Sequence, residues 1–296
     1  MKNGRSATAM ILGLLVAFCP SPCRAQVPVG EKVQVRVERD LVYGKGGGEE
    51  LRLDLAMPGE GDGPFPAVVC LHGGGWRSGN RQQLGQTIEA LAGRGYVAVT
   101  VSYRLAPGAR FPAQIEDCKA AVRWLRANAG KYKVNPDRIG GLGFSAGAHL
   151  ACLLGTTDKT AGLEGRGNSE SSSRVQAVVS FFGPTDFTAK TWSKEIEDNV
   201  FLPFLGARFE DSPGVYRKAS PVSYVSKDDP PFLFFHGTED KLVNIRQSKV
   251  LAEKLQGVGV EAKVVVMEGE GHGWRGAALG RTIEQTLAFF DGHLKK

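Results

Sequence analysis

The sequence has few cysteines and no dense basic cluster, and both shortages limit what the protein can be. Of the five cysteines, only Cys70, Cys118 and Cys152 lie after residue 25. Cys70 and Cys152 lie in apolar segments, which favours buried free thiols over a disulfide framework. The formal charge of +6 falls to +3 without the three basic residues of the first 25. Such a small excess argues against nucleic-acid binding.

Long apolar runs and metal-binding motifs are also lacking. The N-terminal apolar run, residues 9–18, has about half of the roughly 20 residues that a bilayer span requires. No HExxH or comparable ligand spacing occurs, so neither a stable membrane anchor nor a metal site is predicted. Lys2 and Arg5 precede the apolar run and Ala25 follows it, as is typical of a signal peptide cleaved after residue 25. We expect a secreted or periplasmic protein, with residues 26–296 as a single domain.

Strand and helix patterns alternate along that domain. Residues 33–37 and 51–55, on either side of a glycine turn, alternate apolar and polar residues, which predicts an antiparallel pair at a sheet edge. Continuous apolar runs predict buried parallel strands at residues 67–71, 97–101, 138–141, 175–182, 232–235 and 262–267. Helical patterns lie at residues 82–92, 112–128, 146–154, 245–256 and 282–293. The order predicts an α/β fold, a three-layer sandwich with a mostly parallel sheet and helices on both faces.

One connection in this pattern is unusually long. Residues 186–218 contain scattered aromatic side chains and interrupt the alternation of strands and helices. Long connections within compact domains are often functional. We therefore predict that this segment forms a small lid over the active site.

A candidate nucleophile follows the predicted strand at residues 138–141. The motif GFSAG, residues 143–147, places Ser145 directly before a helical pattern. In a GxSxG nucleophile elbow, the sharp turn from strand to helix needs glycines and exposes the serine hydroxyl. The helix N-terminus also favours negative charge. Ser145 is therefore the predicted nucleophile.

A nucleophilic serine needs N–H donors for the oxyanion that it creates. The motif HGGGW, residues 72–76, follows the strand predicted at residues 67–71. In such a glycine loop, backbone N–H groups approach the tetrahedral intermediate together with the N–H of the residue after the serine, here Ala146. Trp76 beside the glycines and Phe144 beside the serine are predicted to shape the substrate pocket, together with residues 186–218.

The general base and its acid partner are predicted from later strand ends. His272 follows the strand at residues 262–267, and Asp240 follows the strand at residues 232–235. The 32 residues between them have room for one helix and one strand, and a right-handed crossover returns the chain to the same sheet end. Asp186 also follows a strand and stays the second candidate for the acid, whereas Glu239 is expected to point elsewhere.

The remaining histidines are interpreted as structural. His149 lies one helical turn after Ser145 and is expected to pack against the core, and His293 lies near the C-terminal end. His72 is expected to brace the glycine loop. His236 ends a strand, where a buried, hydrogen-bonded ring is expected.

As an ordered set, these motifs resemble those of a known family. The set also includes SYRLAP at residues 102–107, DRI at 137–139 and AHL at 148–150. It resembles esterases related to hormone-sensitive lipase, closest to the bacterial branch with bifunctional acetylxylan and feruloyl esterases. The resemblance implies an α/β-hydrolase that cleaves short acyl or aryl esters without a cofactor, with Gly74, Gly75 and Ala146 as oxyanion donors. In an exported enzyme it implies deacylation of plant cell-wall carbohydrate.

One departure from that family and several other functions stay open. Residues 26–60 predict strands instead of an aromatic helical cap, which counts against a large lipid-gathering lid. A general short-chain carboxylesterase, a lipase-like enzyme or an aryl formamidase would use similar glycine loops, and a peptidase can use the same constellation on amides. A non-catalytic binding protein of the same fold is disfavoured, because all three triad positions, Ser145, Asp240 and His272, are filled.

Overall fold

The computed structural model describes residues 34–295 and centres on an eight-stranded sheet. The strands lie in the spatial order β1-β2-β4-β3-β5-β6-β7-β8. Strands β3 to β8 run parallel, β2 is antiparallel to β4, and β1 is antiparallel to β2. The strands are β1 Val35–Gly46, β2 Glu49–Pro58, β3 Phe65–Leu71, β4 Val97–Val101, β5 Val134–Phe144, β6 Ala177–Phe181, β7 Phe232–Gly237 and β8 Ala262–Met267. The predicted parallel sheet with an antiparallel edge is confirmed.

Helices cover both faces of the sheet. The α-helices are α1 Gly85–Ala92, α2 Ala113–Ala127, α3 Ala129–Tyr132, α4 Ala146–Thr156, α5 Lys194–Ile196, α6 Leu202–Leu205, α7 Pro213–Ala219, α8 Arg246–Gly257 and α9 Gly276–Leu294. Helices α2, α4 and α8 contribute to one hydrophobic core, and α1 and α9 contribute to the other. A π-helical turn, Glu197–Phe201, connects α5 to α6.

The central strands are continuous apolar runs because their side chains pack into both hydrophobic cores. In β3, Ala67, Val69 and Leu71 belong to one core, whereas Val68 and Cys70 belong to the other. Successive side chains of a strand point to opposite faces, so a strand covered on both sides must be apolar at every position. Because β3 to β8 run parallel, the loops after them lie at one end of the sheet, where ligands bind in such folds.

Several elements extend beyond their predicted bounds, β1 and α9 among them. Strand β1 continues to Gly46, far past residue 37, because its backbone pairs with β2 up to the turn at Gly47 and Gly48. Helix α9 begins at Gly276 instead of residue 282. Its first turn is rich in glycine and alanine, which give little apolar periodicity to detect.

Three further predictions concern cysteines, the membrane and the N-terminus. Cys70, Cys118 and Cys152 are buried free thiols, as predicted for Cys70 and Cys152. Within residues 34–295, no helix combines the length and apolar composition that a bilayer crossing requires. The predicted signal peptide, residues 1–25, lies outside the described residues.

Candidate active site

Ser145 occupies a sharp turn between β5 and α4. Its backbone has φ +51° and ψ −118°, a conformation that residues other than glycine rarely adopt. Such strain costs about 1–3 kcal/mol and persists only where the surroundings hold it. The Ser145 N–H donates to the Phe181 carbonyl (2.9 Å) on β6. The turn therefore presents the serine side chain at the carboxyl end of the sheet.

The glycines on either side of this turn are sterically required. A Cβ at Gly143 would lie 2.1 Å from the Gly147 carbonyl oxygen, and a Cβ at Gly147 would lie 2.1 Å from that of Leu71. Real Cβ atoms do not approach backbone so closely, and rotation of a side chain cannot relieve the clash. The motif thus reflects the tight crossing of α4 over β3 and β5.

We expect Gly147→Ala to lower the free energy of unfolding by about 3 kcal/mol, the upper end of typical overpacking costs. Urea denaturation followed by circular dichroism measures the change. Gly280→Ala in α9 is the matched control, because a Cβ there meets nothing within 4 Å; it should stabilise the protein by about 0.5–1 kcal/mol. Equal stability of the two variants would contradict this account of the elbow.

Ser145, His272 and Asp240 form a continuous hydrogen-bonded array. Ser145 Oγ lies 2.9 Å from His272 Nε2. His272 Nδ1 lies 2.8 Å from Asp240 Oδ2. With a proton on Nδ1 for the carboxylate, Nε2 is free to accept the serine proton. The loops after β5, β7 and β8 thus bring together three residues that are far apart in the chain.

Asp240 is held as a carboxylate. Its side chain is buried, and Oδ1 accepts the N–H groups of Leu242 and Val243, each at 2.9 Å. Oδ2 lies 3.3 Å from His236 Nε2, in addition to His272. Burial acts to raise the pKa of Asp240, but hydrogen bonds from His236, His272 and the Val243 N–H outweigh it and hold the pKa well below its usual range. The group therefore stays negatively charged beside His272.

The rival carboxylates have other partners. Asp186 Oδ1 accepts both the N–H of Thr188 (2.9 Å) and its hydroxyl (2.6 Å). Glu239 is exposed and pairs with Lys241 at 3.1 Å. Of the carboxylates considered, Asp240 is the one hydrogen-bonded to His272.

The glycine loop after β3 has an unusual backbone. Gly74, Gly75 and Trp76 all have positive φ, at +113°, +59° and +58°. A Cβ at Gly74 would lie 2.2 Å from the Ser78 carbonyl oxygen, so this position requires glycine. Gly75 and Ala146 line the same cavity as Ser145. The role of these backbone groups, and of Gly74, as oxyanion donors stays a prediction.

A small apolar cavity opens beside Ser145. Its volume is about 170 Å³. The long connection at residues 186–218 supplies much of its wall, and movement of that segment as a lid stays a prediction. The cavity is lined by Gly75, Trp76, Ser145, Ala146, Pro184, Trp192, Ile196, Val200, Phe201, Leu242, Val243 and His272.

Phe144 is placed differently from the prediction. Its ring stacks on Phe181 (centroids 4.7 Å apart) and lines another apolar cavity, of about 360 Å³, between α1 and α9. The strand pleat directs this side chain to the face opposite the Ser145 cavity.

Phe182 is an aromatic residue of the site that the sequence analysis missed. Its ring packs on His272, with ring centroids 4.6 Å apart. Its place directly after β6 was the available signal.

The other buried histidines have structural partners, as predicted. His72 Nδ1 lies 2.7 Å from the Gly73 carbonyl oxygen, and the ring stacks on Tyr103. His236 Nδ1 lies 2.7 Å from Ser248 Oγ. His149 is fully buried on α4. Across residues 34–295, no group of three histidine, cysteine or acidic residues is arranged to hold a metal ion.

The comparison with known proteins agrees with this architecture. A serine on a strand-to-helix elbow, followed along the chain by an aspartate and a histidine at later strand ends, is the arrangement of the α/β-hydrolase fold. The family model BD-FAE matches residues 53–255. The chain belongs to the BD-FAE family.

Individual relatives and solved structures are esterases by name. The esterase LipQ of Mycobacterium tuberculosis is 34% identical over 231 residues, which cover 74% of this chain and 53% of that protein. A truncated carbohydrate esterase from gut microbiota has a TM-score of 0.76 at 26% identity, covering 90% of this chain and 99% of that chain. Thermogutta terrifontis esterase 2 with bound butyrate has a TM-score of 0.73 at 26% identity, covering 88% and 94%. The chain spans about half the length of the curated relatives that it matches first.

Proposed function

We propose that this protein is a serine carboxylic ester hydrolase that removes short acyl groups from carbohydrate of the plant cell wall. The observation that carries the proposal is the array from Ser145 Oγ through His272 to Asp240, with distances of 2.9 and 2.8 Å, at the mouth of an apolar cavity. Distances of this size let the imidazole take the serine proton directly.

In the proposed reaction, Ser145 Oγ attacks the ester carbonyl as His272 Nε2 takes the hydroxyl proton. Asp240 holds the imidazole in the required tautomer and stabilises its positive charge. Backbone N–H groups of Gly75 and Ala146 stabilise the oxyanion. The intermediate collapses as His272 gives its proton to the leaving alkoxide, which leaves an acyl group on Ser145. Water, deprotonated by His272, then releases the acid and restores the serine.

The size of the cavity supports a short acyl group. The cavity beside Ser145 has a volume of only about 170 Å³ and a mostly apolar lining. An acetyl to butyryl group fits this space. A feruloyl group adds an aromatic ring to its three-carbon chain and fits less well. Esterase 2 of Thermogutta terrifontis, which is similar in fold, has been solved with butyrate.

We expect p-nitrophenyl acetate and butyrate to be cleaved at least about tenfold faster than the octanoate, since each excluded methylene group costs roughly 1–3 kcal/mol. Ile196→Ala, which shortens one wall of the cavity, should raise the octanoate-to-acetate ratio of kcat/KM by about tenfold. Leu279→Ala is the matched control, because this exposed side chain lines the cavity beside Phe144 instead. An octanoate preference in the wild type would refute the short-acyl proposal.

The carbohydrate part of the proposal has separate support. The similar gut-microbiota protein is named as a carbohydrate esterase, and the predicted signal peptide would deliver the enzyme to an extracellular or periplasmic substrate. Leu242 at the rim is 59% exposed, so the cavity opens to solvent and leaves room for a large alcohol outside. Release of acetate from acetylated xylan, compared with release from p-nitrophenyl acetate, tests this assignment.

A general short-chain carboxylesterase is the second candidate. The similarity to LipQ favours it, because that relative is named only as an esterase. If acetylated xylan were cleaved no faster than its spontaneous hydrolysis while small esters were cleaved rapidly, this candidate would replace the carbohydrate esterase.

A further inference from the structure

Trp76 has a backbone conformation that a bulky residue rarely adopts. Its φ of +58° follows the +59° of Gly75, which needs no such support because glycine lacks a Cβ. A strained residue of this kind persists only where its surroundings hold it. Two contacts hold Trp76 in this conformation. Its backbone carbonyl accepts the Ala106 N–H (2.8 Å), and its indole stacks on Phe204 with ring centroids 4.2 Å apart.

The third contact of Trp76 is a buried hydrogen bond to a histidine. Its Nε1–H donates to His149 Nδ1 at 3.1 Å. His149 Nε2 lies 2.7 Å from the Ala219 carbonyl oxygen and donates to it. Because Nδ1 accepts and Nε2 donates, the ring is a neutral imidazole of one tautomer. Burial lowers the pKa of His149 to about 4, so the ring stays neutral at ordinary pH.

His149 therefore connects three parts of the site. It lies on α4, where its own N–H donates to the Ser145 carbonyl at 3.0 Å. Through Nδ1 it holds the residue directly after Gly75, and through Nε2 it holds the end of α7, next to the segment that walls the cavity. A histidine that only fills the core would need a hydrogen-bond partner for each ring nitrogen, but those partners would not have to be Trp76 and Ala219.

We propose that His149 is a positioning residue, which acts through the Trp76 indole to hold the backbone of Gly75 at the distance from Ser145 that oxyanion binding requires. The inference rests on the proposed ester hydrolysis and adds a residue that does not itself touch the substrate.

Two amide variants separate the two hydrogen bonds of His149. His149→Asn puts an amide oxygen where the imidazole has Nδ1, so it keeps the acceptor for Trp76. His149→Gln puts its terminal nitrogen near the place of Nε2, so it keeps the donor to Ala219. We expect kcat for p-nitrophenyl acetate to fall about 10- to 100-fold in His149→Gln, less than the roughly 100- to 1,000-fold loss on deleting an oxyanion donor. In His149→Asn, kcat should stay within about threefold of wild type, with KM little changed in both.

Trp76→Phe supplies the second half of the test. It keeps an aromatic ring against Phe204, but it removes the N–H donor together with part of the indole, which also lines the Ser145 cavity. Its loss in kcat should be at least that of His149→Gln, and the double variant should be no slower than the slower single variant, since both break the same hydrogen bond. Tyr96→Phe is the control, because it removes a partly buried hydrogen bond, from Tyr96 to Asp291 (2.6 Å), at the opposite end of the sheet. It should lower Tm without changing kcat.

Two results would overturn the inference in an active enzyme: equal kcat in His149→Asn and His149→Gln, or multiplied losses in the double variant. Hydrogen exchange of the Trp76 indole N–H, followed by NMR, tests the anchor without using activity. Protection should be strong in wild type, retained in His149→Asn and lost in His149→Gln; protection equal in both variants also counts against the anchor. Failure of wild type to cleave any ester would instead refute the proposed function.

Discussion

Replacing Ser145 by alanine should reduce kcat for p-nitrophenyl acetate by on the order of 10⁵-fold or more. The hydroxyl that lies 2.9 Å from His272 Nε2 is the only group in the array that can form the acyl-enzyme. Without the hydroxyl, only the backbone oxyanion donors and substrate binding still accelerate the reaction, and their contribution to the rate is small compared with that of the intact array. The measurement is the rate of p-nitrophenolate release at saturating substrate, with the variant's fold checked by circular dichroism.

Two comparisons make this result specific. Ser169→Ala removes an exposed serine hydroxyl in the loop before β6 and should leave kcat unchanged. Adding His272→Ala to Ser145→Ala should cause little further loss, because the two groups act as a unit. If a folded Ser145→Ala protein kept the wild-type rate, Ser145 would not be the nucleophile. Absence of activity from wild type as well would favour a binding protein of this fold.

The second large effect is expected at Asp240. Asp240→Asn should lower kcat by about 10⁴-fold, because an amide NH₂ facing His272 Nδ1 selects the tautomer that leaves a proton on Nε2. That tautomer cannot accept the Ser145 proton. The substitution also replaces a buried carboxylate that accepts the N–H groups of Leu242 and Val243. Steady-state kinetics with p-nitrophenyl acetate measure the change.

Asp186→Asn provides the matched control for this substitution. Asp186 also follows a parallel strand, but its carboxylate accepts hydrogen bonds from Thr188, and an amide oxygen can still accept them. We expect kcat within about threefold of wild type for this control, since loss of the negative charge there leaves the array intact. Equal losses at Asp186 and Asp240 would show that the assignment of the acid is wrong.

The strand pattern allowed most of the fold to be predicted. Strands β4 and β8 have the predicted bounds, and the antiparallel pair β1 and β2 lies at the sheet edge as expected. Buried strands are recognisable because both faces demand apolar residues. The start of α9 was missed because Gly276 and its neighbours are mostly glycine and alanine, which give no apolar periodicity to detect.

Local chemistry made the elbow and the glycine loop predictable. Gly143 and Gly74 are required by close backbone approaches four residues away, at Gly147 and Ser78, whereas Gly147 is required by its contact with Leu71 of β3. Because no other residue fits at these positions, the glycines are visible in the sequence. The Asp240 and His272 loops were likewise recognisable from their places after strands. The sequence by itself therefore determined the elbow, the glycine loop and the candidates for nucleophile, base and acid.

Tertiary structure decided which of these candidates and neighbours meet. It placed Asp240 and not Asp186 against His272, turned Phe144 away from the Ser145 cavity, and packed Phe182 on the imidazole. It also joined His149 to Trp76, 73 residues apart in the chain. These contacts depend on how whole strands and helices pack, since the partners come from separate elements whose relative positions no local pattern encodes.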